Sequence, residues 1–243
     1  MNDSTQQPRA DSDASPRRVA IIGDGKMGRA AAQLATARGW TITAHLGRRA
    51  NKEGAGITRE GLDNPEVIVE FTQPSAAVAN IRAAATAGIP IVCGTSGWYE
   101  SLPIVRDLIA TRQASLFWSA NFSVGANLLF ALAREAGRRL QGNRAFAAAI
   151  VESHHAAKRD APSGTAIVLE EFLREGLRKA TPITSIRVGH IPGQHEVIFD
   201  GTFEQLVLRH EARDRRVFAD GALVAADWLV GRTGTFTMSD LLP

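Results

Sequence analysis

The run Val19-Ala20-Ile21-Ile22-Gly23-Asp24-Gly25-Lys26-Met27-Gly28 decides the fold. Four apolar residues in a row, three of them β-branched, read as a short strand buried on both faces. Glycines then follow at G-x-G-x-x-G spacing, and residues 29–38 are rich in helix formers. Each glycine has a task in a strand–turn–helix. The first permits the tight turn, the second lets backbone approach a pyrophosphate, and the third lets helix and strand pack closely. Gly39 closes the helix, and Trp40-Thr41-Ile42-Thr43-Ala44-His45-Leu46 reads as a second strand, completing a βαβ unit. Unpaired N–H groups at the helix start are a phosphate site, so Gly23, Asp24, Gly25, Lys26, Met27 and Gly28 are expected to contact a dinucleotide.

The end of the second strand bears on which dinucleotide. An acid there would hold the adenosine ribose hydroxyls and repel a 2′-phosphate. Here Leu46 is followed by Gly47-Arg48-Arg49. Guanidinium groups grip phosphate by forked, charge-assisted hydrogen bonds, so NADPH is the preferred cofactor, through Arg48, with NADH possible.

Strand and helix patterns go on alternating. Residues 67–71, 89–93 and 115–118 read as strands, and 75–87 and 102–112 as helices, which implies a Rossmann-type, doubly wound parallel sheet. After Asn121 the texture changes. A long helix over 124–140 precedes a strand over 145–152, a helix over 165–179 and strands over 183–188, 196–200 and 204–210. That succession predicts a second α+β domain with an open mixed sheet. A last helix over 221–230 is expected to return to the first domain. The expected division is a disordered tail over 1–16, a dinucleotide-binding domain over 17–121 rejoined by 219–243, and a substrate-binding and oligomerisation domain over 122–218.

Composition narrows the remaining classes. With 243 residues, 44% hydrophobic and 22% charged, the chain can bury a large core without staples. Cys93, its one cysteine, cannot form an internal disulfide, which suits a reducing cytoplasm. The first sixteen residues are polar and lack a signal-peptide core, and no apolar run approaches the roughly 18 residues of a membrane span, so a cytoplasmic location is expected, with no membrane partner. The net charge of +3 is spread among mixed signs, and even residues 209–216 include Glu211 and Asp214, which argues against nucleic acid.

A second stretch carries the chemistry: Glu152-Ser153-His154-His155-Ala156-Ala157-Lys158-Arg159-Asp160-Ala161-Pro162-Ser163-Gly164-Thr165-Ala166. Ser163 is placed to cap a helix, leaving the N–H groups of Gly164 and Thr165 free to grip a carboxylate. Two histidines and a lysine beside that cradle supply protons and positive charge, which suits a small dianion. Adjacent histidines can also ligate metal, but the sequence offers neither cysteine partners nor an H-E-x-x-H spacing, and no metal is expected.

This stretch resembles the signature E-x-H-H-x-x-K-x-D-x-P-S-G-T-A of the 4-hydroxy-tetrahydrodipicolinate reductase family, without a break. The resemblance extends, in the family's order, to the glycine turn, to Glu70-Phe71-Thr72-Gln73-Pro74, to Gly94-Thr95-Ser96-Gly97 and to Ala120-Asn121-Phe122-Ser123-Val124-Gly125. It implies reduction of 4-hydroxy-tetrahydrodipicolinate, or its dehydrated form, to tetrahydrodipicolinate in lysine and diaminopimelate biosynthesis. His154 would be the acid/base residue and Lys158 the proton donor. His155, Ser163, Gly164, Thr165 and a basic position matching Arg215 would bind the small dicarboxylate substrate, with Arg213 and Arg216 as neighbouring alternatives to the last. Gly94, Thr95, Ser96, Ser119, Ala120, Asn121 and Phe122 would approach the nicotinamide end. A homotetramer built through the second domain's sheet is also implied. The chain departs from the family at Gly47, where members often carry the acid that favours NADH, and in a short segment between Arg48 and Val67. Fold alone leaves room for another imine reductase, an amino-acid dehydrogenase, or a dinucleotide sensor without catalysis. A sensor would not need His154 or Lys158.

Overall fold

A computed structural model describes residues 17–242; the tail expected over 1–16 lies outside them. Strand β1 (Arg18–Ile22) enters the glycine turn and helix α1 (Lys26–Ala37), and β2 (Thr41–Leu46) returns beside it. The chain continues through β3 (Val67–Glu70), α2 (Pro74–Ala87), β4 (Ile91–Cys93), α3 (Leu102–Thr111) and β5 (Ser115–Trp118). These strands are parallel, in the order β5-β4-β3-β1-β2. The order reverses between β1 and β3. That is the switch point at which doubly wound sheets open a crevice beyond the carboxyl ends of their strands.

Close approach explains two of the turn glycines. Gly23 has φ +115°, and a Cβ there would collide with the Phe71 carbonyl, just as one on Gly28 would collide with the Gly23 carbonyl. A larger residue at Gly23 would drive the turn away from the end of β3, and one at Gly28 would push α1 off the turn. Val19, Ile21, Val67, Val69 and Val92 face one helical layer, and Ala20, Ile22, Ile68, Ile91 and Leu116 face the other, all buried. Strands apolar on both faces are what a sheet covered on both sides demands.

Helix α4 (Val124–Leu140) leads into a second unit: β6 (Phe146–His154), α5 (Gly164–Leu177), β7 (Ile183–Arg187), β8 (Gln194–Gly201) and β9 (Gln205–Glu211). Its four strands lie in the order β7-β6-β8-β9, parallel between β6 and β7 and antiparallel elsewhere. The expected mixed sheet is therefore present. Ile150, Val197 and Phe199 on one face pack against Leu129, Phe130, Leu169 and Leu173 of α4 and α5. The other face presents Ile186 and Val207, each 42% exposed.

The last stretch differs from expectation in two ways. Helix α6 (Arg216–Leu229) starts five residues before Gly221, the residue that looked like its boundary. Gly221 sits inside the helix because a Cβ there would run into the Phe122 carbonyl. Beyond α6, β10 (Gly234–Phe236) adds a sixth parallel strand beside β5, and α7 (Met238–Leu241) follows. A three-residue strand gives periodicity too little to register. Helix α6 buries Ala219, Ala222, Leu223 and Ala226 in the same apolar layer as Ala31 and Ala35 of α1.

Candidate active site

Two cavities open beyond the carboxyl ends of the six-stranded sheet. One, of about 720 Å³, lies at the switch point and is lined by Gly23, Asp24 and Gly25 after β1, Gly47, Arg48 and Arg49 after β2, and Thr72 and Gln73 after β3. A Cβ on Gly25 would meet nothing within 4 Å, so the start of α1 is bare on this side. Lys26, Met27 and Gly28 form the first turn of α1; the Met27 side chain packs toward the core and Gly28 is buried. This cradle, with a bare helix start and two guanidiniums beyond β2, fits a dinucleotide phosphate.

The other cavity, of about 850 Å³, lies between the two sheets. His154, His155, Lys158, Ser163, Gly164, Thr165 and Arg215 all line it, as do Ser119, Ala120 and Asn121 at the crossing out of β5. Of the three neighbouring arginines, Arg215 reaches this cavity, while Arg216 is paired with Asp214 at 3.1 Å. Phe122, in contrast, is buried against Phe71 and Phe117. Gly94, Thr95 and Ser96 follow β4 outside the walls of both cavities. The Thr95 hydroxyl turns inward, donating to buried Glu70 at 3.0 Å and accepting from the Thr72 N–H at 2.7 Å.

The crossing is stiff. Ser119 Oγ donates to the Asn121 carbonyl at 2.7 Å, Asn121 Oδ1 accepts from the Ser123 N–H at 2.9 Å, and Asn127 Nδ2 donates to the Asn121 carbonyl at 2.8 Å. Asn121 Nδ2 also donates to Thr165 Oγ1 at 3.3 Å, tying the crossing to the start of α5. There Ser163 caps the helix, its Oγ accepting from the Ala166 N–H at 3.2 Å. Gly164 and Thr165 occupy the first turn, where N–H groups have no helical acceptor.

Strand β6 carries the site further than expected, since it runs through His154. Glu152 and His154, two apart on a strand, point to the same side. Glu152 is buried and its Oε2 is hydrogen-bonded to His154 Nδ1. When the ring is neutral, that contact keeps the proton on Nδ1 and leaves Nε2 to the cavity. Gly193 (φ +154°) keeps Nε2 open, since a Cβ there would come within 3.1 Å of it. Burial lowers the His154 titration, Glu152 opposes this, and Lys158 and Arg187 add to it. Burial alone would raise the Glu152 carboxyl, but hydrogen bonds from Arg187, Ser185 and His154 bring it down to about 2. Lys158 Nζ rests on Asp160, at 2.7 and 2.8 Å from its two oxygens.

Two participants, Arg187 and His195, lie outside every motif of the sequence. Arg187 donates to both oxygens of Glu152, at 2.6 and 3.0 Å. His195 on β8 packs edge-on to His154, 5.2 Å between ring centroids, and its Nε2 is 3.1 Å from Ser163 Oγ. Burial pushes His195 down to about 4, so it is neutral at ordinary pH. Glu152 and Asp160 lie within the motif, and their parts show only in the structure, as the partners of His154 and Lys158. A buried polar residue on the inner face of β8 is the one local clue that could have flagged His195. Glu152, His154 and His195 lie close enough to hold an ion. Both Glu152 oxygens are already committed to Arg187, however, and His195 faces Ser163, so the cluster reads as a hydrogen-bond network.

Comparison with known proteins agrees with this geometry. Residues 17–122 match the family model described as dihydrodipicolinate reductase, N-terminus, and residues 125–242 match its C-terminus counterpart. The chain is 32% identical over 238 residues to the 4-hydroxy-tetrahydrodipicolinate reductase of Christiangramia forsetii, spanning 92% of this chain and 97% of that one. It is 42% identical over 200 residues to that of Rhodopseudomonas palustris, spanning 74% and 73%. A dipicolinate-bound dihydrodipicolinate reductase from a Paenisporosarcina species has the same fold, with a TM-score of 0.76 at 22% identity, covering 92% of this chain and 98% of that one.

Proposed function

The chain belongs to the dihydrodipicolinate reductase family and is an oxidoreductase of lysine and diaminopimelate biosynthesis that uses a dinucleotide; from that premise we propose how its residues divide the work. The substrate is a small dicarboxylate, 4-hydroxy-tetrahydrodipicolinate, which loses its hydroxyl as water, or the dehydrated form itself; hydride and a proton then take the dehydrated ring to tetrahydrodipicolinate. The observation that carries this reading is the convergence of His154, His155, Lys158 and the start of α5 on one cavity. Dipicolinate bound to the Paenisporosarcina protein is a planar dicarboxylate of the same kind.

One substrate carboxylate is held by the N–H groups of Gly164 and Thr165 with the Ser163 and Thr165 hydroxyls, and His155 and Arg215 supply positive charge to the dianion. A bound nicotinamide supplies hydride. Lys158 donates a proton to the ring position that gains electron density, leaving Asp160 as it does so, and His154 exchanges protons through Nε2. Among the described residues no helix is long and apolar enough to cross a membrane. Cytoplasmic location remains part of the proposal, supported by the lone buried thiol of Cys93.

Gly23, Asp24, Gly25, Lys26, Met27 and Gly28 hold the pyrophosphate and adjoining ribose. Gly94, Thr95, Ser96, Ser119, Ala120, Asn121 and Phe122 support the nicotinamide end, Thr95 and Phe122 through backbone and packing. NADPH is preferred because Arg48 and Arg49 line the crevice beyond β2. NADH is admitted because the Asp24 carboxylate fills the space a side chain at Gly47 would take, and offers an acceptor to ribose hydroxyls. Residues 17–121 with 219–243 form the dinucleotide unit, and 122–218 bind substrate and assemble a homotetramer through the open sheet face.

Cofactor kinetics test this division. Arg48→Ala should raise KM for NADPH about tenfold, the loss of roughly one charge-assisted contact, and leave KM for NADH within about twofold. Equal effects on both cofactors would remove Arg48 from 2′-phosphate recognition. Dipicolinate should inhibit the parent and bind much more weakly to Thr165→Val.

A further inference from the structure

Arg187 lies outside every motif that marks this site, yet it touches the partners of both proton-handling residues. It ends β7 directly opposite His154 in the parallel ladder. Its Nη1 donates to Glu152 Oε2 at 3.0 Å and its Nη2 to Glu152 Oε1 at 2.6 Å, while Nη2 also donates to the Asp160 carbonyl at 2.6 Å. Glu152 is the group that holds His154, and Asp160 is the group that holds Lys158. We infer that Arg187 is a positioning residue, a clamp that fixes the His154 imidazole and the Lys158 ammonium in one relation by binding the side chain that orients the first and the backbone that carries the anchor of the second.

The inference rests on the roles proposed above for His154 and Lys158, and adds to them. A carboxylate with no solvent exposure is tolerated only when paired, and the planar guanidinium fork satisfies both oxygens of Glu152 with a donor left for the Asp160 loop. An ammonium at the same place has no fixed fork. Neutralised by Arg187, Glu152 acts on His154 chiefly as an orienting acceptor. The charged and titratable groups facing His154 are Glu152 on its own strand, Arg187 on β7, His195 on β8 and Lys158 from the loop that follows. Glu152 favours the imidazolium; Arg187 and Lys158 oppose it. Removing Glu152 and removing Arg187 should therefore move the His154 titration in opposite directions, which general damage to the fold would not do.

The test uses the whole protein with histidine-selective NMR, the pH profile of kcat and the Kd for NADPH. Glu152→Gln should shift the His154 titration and the matching limb of the profile to lower pH. Arg187→Gln should shift both to higher pH, each by up to about one unit. Both should lower kcat about tenfold to a hundredfold with little change in the Kd for NADPH. Arg187→Lys, which keeps the charge and the fold but loses the fork, should leave the titration near the parent's and still lower kcat. Shifts of the same sign, or parental kcat in Arg187→Lys, would overturn the clamp. Should Arg187→Gln fail to fold, the kcat of Arg187→Lys decides the matter alone. Parental activity in His154→Gln would overturn the acid/base assignment, a failure distinguishable from that of the clamp.

Discussion

A buried carboxylate and a buried imidazole meet beside the cavity, and both make acid costly to this fold. In the folded chain burial holds His195 at about 4, against 6.5 for a free histidine. As pH falls through 6.5 the unfolded chain takes up a proton that the folded chain refuses, so stability drops, by roughly 3 kcal/mol once pH is below 4. Glu152 is held near 2 against an ordinary 4.5, so its contribution is present above about 4.5 and is lost as pH falls toward 2. The melting temperature should fall in two stages, and His195→Gln should shrink the stage between pH 6.5 and 4, to which the lowered His154 and His210 also contribute, while leaving the lower one. An unchanged profile would mean that His195 is not neutral in the folded state. At this scale the sequence is legible where function is contiguous. His154, His155, Lys158 and Ser163 sit within ten residues and reach one cavity. Arg187 and His195 arrive through strand register, Arg187 opposite His154 and His195 opposite Glu152, and pairing across 33 or 43 residues leaves no local trace.

At the scale of elements, two serine caps allow a controlled comparison. Ser123 begins α4 and Ser163 begins α5, each accepting an N–H from three residues on. Replacing either by alanine should cost about 1 kcal/mol of stability. Ser163→Ala should in addition raise the substrate KM several-fold, because that helix start faces the cavity; Ser123→Ala should leave KM unchanged. Equal KM effects would place substrate binding elsewhere. Both helices are legible in the sequence from their apolar stripes, and α5 also from its Ser163 cap, whereas the Ser123 cap of α4 shows only in the structure. The end of the chain was not. Gly221 reads as a boundary until the Phe122 carbonyl is seen against it, and β10 becomes a strand only because β5 offers it an edge.

For the whole molecule, the face of the four-stranded sheet turned away from α4 and α5 is the place to look for assembly. Ile186 and Val207 are exposed there, and Phe203, in the β8–β9 turn, is 98% exposed. Apolar sheet surface of this kind is a liability unless another chain covers it. Val207→Glu and Ile186→Glu should break the proposed homotetramer into smaller species in light scattering, with cofactor binding retained. A parent that is monomeric at every concentration would refute the proposed assembly. The doubly wound unit was legible from alternation and glycines, whereas the partner of this face is set by surfaces that periodicity does not encode.

In the proposed reaction His154 and Lys158 move protons for a nicotinamide-dependent reduction. Its most direct test follows the nicotinamide absorbance with substrate made in situ from pyruvate and aspartate semialdehyde by the preceding synthase, for the parent, His154→Ala and Lys158→Ala. NADPH should be oxidised by the parent only when substrate is present, and both variants should lose about a hundred- to ten-thousand-fold in kcat with cofactor binding intact. Cofactor binding without turnover in the parent, or near-parental kcat in both variants, would contradict it.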